Sequence, residues 1–224
     1  MIQLTNLQRH YVMSSETIKA LDGINLNIPA GERVVLLGPS GSGKTTLLNC
    51  ISGLDIPTGG SYLFEGNAVT GNSEDLTTFR RKNVGYVFQF FNLLQDLTVL
   101  ENVLLIQELS GLRDVNRAKE VLNLVGLENE IDRFPSEISG GQQQRVAIAR
   151  SIAKNPKLLL GDELTGNLDT ETSAKVMDVL TEACEKENIT TVMVTHDESL
   201  AKYATRVIRL DSGKVKSDEQ VIQN

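Results

Sequence analysis

Two cysteines are all that the 224 residues contain, and Cys50 and Cys184 lie far apart without metal-type spacing. Reduced thiols in a cytosolic protein are expected, not a disulfide framework. Positive charge is also short: 22 Lys and Arg against 29 Asp and Glu leave a net charge of -7. That balance argues against a nucleic-acid partner, whose binding is driven by cations neutralising phosphates. No apolar run exceeds strand length, and MIQLTNLQRH lacks the apolar core of a signal peptide. The chain is therefore expected neither to cross a membrane nor to be exported by the usual route. Low-complexity tracts and repeats at solenoid periods are missing too. What remains is ordinary globular composition, 40% hydrophobic and 23% charged, with length for one large domain or one domain carrying an insertion. Only the tail after Lys214 reads as disordered.

Apolar β-rich runs bounded by turn residues predict strands near residues 2–7, 24–28, 33–37, 61–64, 83–88, 157–160, 190–195 and 206–210. Helical patterns follow several of them, at 44–52, 141–155, 172–186 and 198–203. Strand followed by helix, repeated, predicts an α/β fold whose mostly parallel sheet is covered on both faces. Between about residues 90 and 138 the strand signal vanishes, and TVLENVLLIQELSG and NRAKEVLNLVGL read as amphipathic helices of an inserted helical subdomain. The nucleotide-binding core then comprises 1–89 and 139–224. The early strands read as an antiparallel meander, with DGINLNIPAGERVVLLG placing turn residues where a hairpin needs them.

GPSGSGKT follows the apolar run RVVLL and opens the helix TTLLNCIS, the context that a G-x-x-x-x-G-K-[ST] phosphate loop requires. Its backbone N–H groups and the helix N-terminus favour phosphate oxygens. Lys44 adds a point charge for the outer phosphates, and the Thr45 hydroxyl is a Mg²⁺ ligand. An unliganded glycine turn is the bland alternative, and the strand–loop–helix context disfavours it. The expected ATP-binding set is Gly38, Pro39, Ser40, Gly41, Ser42, Gly43, Lys44, Thr45 and Thr46. LLLGDE ends a buried-type strand in two carboxylates, at the sheet edge where open α/β folds bind ligands. Asp162 suits Mg²⁺, and Glu163 suits a base that polarises an attacking water. Without the phosphate loop, a solvated strand end would explain the pair equally well.

Four further elements occur in order: VFQ at 87–89, ISGGQ at 138–142, GNLD at 166–169 and VTHD at 194–197, with no N-K-x-D guanine reader. Together with GPSGSGKTT and LLLGDE, this order closely resembles the ATP-binding subunits of ABC transporters over essentially the whole length. Within them, YVFQFFNLLQDLTVLENV, ISGGQQQRVAIAR and GNLD resemble the branch of macrolide-exporter and lipoprotein-release ATPases. The resemblance implies a P-loop NTPase (RecA-like) core with an antiparallel β subdomain. It implies Gln89 at Mg²⁺ or the attacking water, His196 on the γ-phosphate, and an aromatic residue stacking on adenine in the early segment. Tyr11 is assigned that role, with His10 as its rival.

A second anion loop, Ser139, Gly140, Gly141 and Gln142, is difficult to bring to a nucleotide held by the first in the same chain. A head-to-tail homodimer joined through ATP resolves this, with Ser139 of one copy facing the ATP on Lys44 of the other and Asp169 between them. Integral membrane permease-type partners are implied, which places the chain at the cytoplasmic face of the cell membrane, with Phe90 or Phe91 as a docking contact. The implied activity is Mg²⁺-dependent ATP hydrolysis powering export or mechanical work. A cell-division-type ATPase that signals without transporting is the alternative. Two departures from the family pattern stand out: Gly161 replaces an apolar strand residue, and Leu164 replaces a proline. They predict a looser loop around Glu163 and slower hydrolysis.

Overall fold

All five residues of Arg33–Leu37 are buried, so this strand, β3, needs partners on both edges and cover on both faces. It finds the edges in β8 (Thr190–Val194) and β9 (Arg206–Asp211), both parallel to it. The computed structural model describes residues 1–13 and 16–221. Its chain divides into two compact units, the first made of residues 1–80 and 190–224, the second of residues 81–189.

The first unit holds two sets of strands. β1 (Ile2–Val12) and β2 (Thr17–Ile28) pair antiparallel, and β4 (Gly59–Phe64) and β5 (Asn67–Ala68) extend them in the order β2-β1-β4-β5. The second set runs β10-β9-β3-β8, with β10 (Lys214–Gln220) antiparallel to β9. The expected hairpin across NIPAGER is therefore corrected: β3 does not return along β2 but enters the other set. Hydrophobicity decides this, because RVVLL has no face to leave in water, and a half-exposed antiparallel position would leave one. The disordered tail is corrected as well. Residues 214–220 form β10, held by the Arg206 guanidinium, which donates to Asp218 at 2.6 and 2.7 Å. Residues 222–224 of that tail lie outside the described residues. β3 leads through residues 38–43 into α1 (Lys44–Ser52), as the sequence pattern predicts.

The second unit pairs β6 (Val84–Val87) parallel with β7 (Leu158–Asp162). Its helices are α3 (Val99–Leu109), α4 (Val115–Leu124), α5 (Gly140–Ile152) and α6 (Thr170–Lys186). Helix α2 (Ser73–Asn83), most of it in the first unit and missed by the sequence pattern, buries only Leu76, so it carries almost no apolar periodicity to read. Each of α3, α5 and α6 begins at a side-chain cap. Thr98 and Glu101 exchange bonds in a capping box on α3, Ser139 and Gln142 do so on α5, and Asp169 accepts from two N–H groups of α6. The core of α5 is apolar on the Val146, Ile148, Ala149 and Ile152 side, so the glycines at its start are anchored by a buried helix.

Candidate functional site

In the first unit, the loop between β3 and α1 curls so tightly that two positions exclude any side chain. A Cβ on Gly38 would sit 2.2 Å from the Leu210 carbonyl oxygen, and one on Gly43 would sit 2.3 Å from that of Ala20. Gly43 also has φ 100°, open to glycine and costly for other residues. The loop is closed by a Ser42 N–H donated to the Pro39 carbonyl at 3.2 Å. The Lys44 side chain folds into it, and its ammonium donates to the carbonyls of Gly38 at 2.7 Å and Pro39 at 3.0 Å. Lys44 is buried, while Ser40, Gly41 and Thr45 are exposed. The Ser42 hydroxyl is buried and has no hydrogen-bond partner among the described residues. An orphaned donor, a buried ammonium and the N-terminus of a helix converge on this loop, a setting that suits a phosphate chain.

Tyr11 and His10 meet different acidic partners. The Tyr11 hydroxyl donates to Asp55 at 2.6 Å and reaches the Thr46 side chain in α1. Arg9 binds the same carboxylate, from Nε at 2.9 Å and from a terminal nitrogen at 2.8 Å, and its guanidinium lies 4.4 Å from the Tyr11 ring centre. Burial pushes the Asp55 carboxyl upward, but the bonds from Tyr11 and Arg9 outweigh it and hold its pKa below the usual value. His10 instead has Nε2 3.6 Å from Asp22. Sequence reasoning missed Arg9 and Asp55. Arg9 was within reach, since residues two apart on a strand share a face; Asp55, 44 residues from Tyr11, carries no such local signal. His196 follows β8, is exposed, and neighbours Asp197, which caps the turn at Glu198–Tyr203.

In the second unit, the structure gathers Gln89, the carboxylate loop and the second glycine loop. β7 ends at Asp162, and Glu163 follows with φ 49°. The chain then turns, with Gly166 N–H on the Glu163 carbonyl at 3.1 Å and Leu168 N–H on that of Thr165 at 3.0 Å. Asn167 donates to the Gln89 carbonyl at 3.0 Å, and a Cβ on Gly166 would lie 3.2 Å from the Gln89 amide nitrogen. Gly140 sits beside Leu168 and Phe91, and a Cβ on Gly141 would strike Thr172 at 2.5 Å. Gly141 is buried, while Ser139 is exposed, its hydroxyl accepting from the Gln142 N–H at 3.3 Å. Asp169 is exposed, and bonds from Thr172 and the first N–H groups of α6 keep its pKa below the usual value. Beside Glu163, Leu164 is only 3% exposed and lies on Gly161. Of the docking pair, Phe90 is 68% exposed, while the Phe91 and Asn92 carbonyls are held by the Arg150 guanidinium at 2.9 and 2.5 Å.

Thr45 lies in the first unit, and Gln89 and Asp162 in the second. Among the described residues, no group of three or more His, Cys, Asp or Glu is placed to hold a metal ion. A Mg²⁺ bound by one or two protein oxygens plus substrate phosphates needs no such group.

Residues 21–166 match the family model described as ABC transporter. An ABC transporter ATP-binding protein of Mycobacterium tuberculosis, Rv0986, is 46% identical over 96% of this chain and 88% of its own. The macrolide export ATP-binding/permease protein MacB of Chlorobium phaeobacteroides is 44% identical over 98% of this chain but only 34% of its own length. The ABC transporter ATP-binding protein MJ0796 of Methanocaldococcus jannaschii is 45% identical over 99% of this chain and 97% of its own. A solved dimeric structure of MJ0796, in a post-hydrolysis state bound to ADP and Pi, superposes with a TM-score of 0.88 at 41% identity and covers 100% of both chains.

Proposed function

Because this chain belongs to the ABC transporter family and is an ATPase with a P-loop cassette fold, we propose that it drives a membrane complex by ATP-dependent dimerisation and Mg²⁺-dependent hydrolysis. The observation that carries the reading is the first glycine loop, where two Cβ-excluding glycines, the buried Lys44 ammonium and the orphaned Ser42 hydroxyl surround the start of α1. Gly38, Pro39, Ser40, Gly41, Ser42, Gly43, Lys44, Thr45 and Thr46 bind the phosphates of ATP, and the Tyr11 ring stacks on adenine. Thr45, Gln89 and Asp162 offer the oxygen donors that Mg²⁺ prefers and would hold an ion whose charge would offset that of the phosphates. Glu163 accepts the proton of the attacking water, Gln89 helps to orient that water, and His196 donates to the γ-phosphate.

Ser139, Gly140, Gly141, Gln142 and Asp169 act on the ATP held by a second copy, so the homodimer owns two composite sites. The dimeric MJ0796 structures support this arrangement. Residues 90–138 serve as an inserted helical subdomain that faces integral membrane permease-type subunits at the cytoplasmic face, with the exposed Phe90 as a contact. The permease portion named in MacB supports a membrane partner. Export is the favoured output, on the likeness to MacB.

Glu163→Gln tests the reading. It should lower ATP hydrolysis by about a hundredfold or more while trapping an ATP-bound dimer, measured by phosphate release and by light scattering. Full turnover in that variant would remove Glu163 as the base.

A further inference from the structure

Gly161 and Leu164, the two departures from the family pattern, occupy one space. A Cβ on Gly161 would lie 2.7, 2.8 and 3.1 Å from Cδ1, Cγ and Cδ2 of Leu164. Leu164 is only 3% exposed, and Gly161 itself is buried within β7, opposite Val87 of β6. The leucine has little room to step aside, so its isobutyl group fits only because residue 161 has no side chain. Between the two stands Glu163, whose φ of 49° is uncommon for a residue with a Cβ. Such a conformation persists only where the surroundings impose it.

We infer that Leu164 is a positioning residue for hydrolysis: packed on Gly161, it holds the Glu163 backbone in its left-handed conformation and so aims the carboxylate. A proline at 164 would restrict this turn through its own ring. Leucine has no ring, so its hold comes from packing, and the missing Cβ at 161 supplies the room. The glycine and the leucine form a matched pair, each required by the other. Gly161 has no left-handed φ of its own, so alanine there suits the backbone and tests the contact alone. This inference rests on the reading of Glu163 as the base.

A double-mutant cycle on the purified chain reads the contact. Gly161→Ala should lower kcat by about tenfold while ATP affinity stays within about twofold, since the ATP-binding loop is untouched. Leu164→Ala alone should lower kcat less. Adding Leu164→Ala to Gly161→Ala should restore kcat to within about threefold of the parent, the new methyl filling part of the space that the leucine leaves. A merely structural contact would move the unfolding midpoint without this rescue. Two losses that simply multiply, or a Gly161→Ala enzyme with parental kcat, would overturn the inference. Should Gly161→Ala fail to fold, Leu164→Val reads the same contact: reduced kcat at unchanged ATP affinity supports the pairing, and parental kcat overturns it. Glu163→Gln separates the two levels. An active Glu163→Gln enzyme sinks the base assignment itself, whereas an inactive one beside a multiplicative cycle sinks only the role of Leu164.

Discussion

The carboxylate of Asp55 binds both the Tyr11 hydroxyl and the Arg9 guanidinium, and the guanidinium in turn lies over the Tyr11 ring. One acid thus fixes the tilt of the ring, while a cation adds a stacking contact to it. Asp55→Asn should raise the KM for ATP by about threefold to tenfold with kcat nearly unchanged, because it removes the charge-assisted anchor of the ring proposed to stack on adenine and not a proposed phosphate ligand. Affinity for inorganic tripolyphosphate, which has no base, should not move; a parallel loss there would show that the phosphate loop had been disturbed instead. The pH dependence carries a definite sign. Burial raises the Asp55 pKa, the bonds from Tyr11 and Arg9 lower it by more, and the folded value ends below the unfolded one near 4. The contribution of this cluster to stability is therefore present above about pH 4 and lost as pH falls through the depressed folded value.

At the scale of elements, caps decide where the second unit's helices begin. The Thr98 hydroxyl accepts the Glu101 N–H at 3.2 Å, and Glu101 accepts the Thr98 N–H at 2.8 Å, so two otherwise orphaned donors at the start of α3 are satisfied together. Thr98→Ala should cost about 1 kcal/mol, read as a lower midpoint in urea with an unchanged slope. These starts are legible in the sequence, because Thr98-x-x-Glu101 and Ser139-x-x-Gln142 print the capping box in four residues. α1 is equally legible, its bounds following from the glycine loop before it and Gly53 after it. β10 was not, because KVKSDEQ alternates without a strong apolar face, and its order comes from pairing with β9 and from the Arg206–Asp218 bonds. α2 escaped for the same reason, being polar nearly all round.

At the scale of the whole molecule, the exposed Ser139 has two duties, one in the monomer and one proposed across a dimer. Its hydroxyl already caps α5, and aspartate caps as well as serine does. Ser139→Asp should therefore leave the unfolding midpoint and monomer ATP binding close to the parent. It should abolish ATP-driven dimerisation, because the new charge would face a γ-phosphate. Light scattering with ATP in the Glu163→Gln background, where turnover should be slow, distinguishes the outcomes; a dimer that survives would overturn the assignment of this loop to the partner's nucleotide.

By itself, the sequence determined the chemistry of short segments: the curled loop of residues 38–45, the carboxylate-tipped strand of residues 158–163, the capped helices and the order of motifs that marks the family. Such segments are set by φ, hydrogen bonding and periodicity within a few residues, and these are written locally. Tertiary structure alone decided that β3 takes β8 and β9 as neighbours rather than returning along β2, that Asp55 anchors Tyr11, and that Leu164 fills the space left open at Gly161. Each of these outcomes turns on which buried volumes and which distant polar groups must share one place. Packing density and the cost of an unsatisfied charge settle that only once the chain has closed on itself.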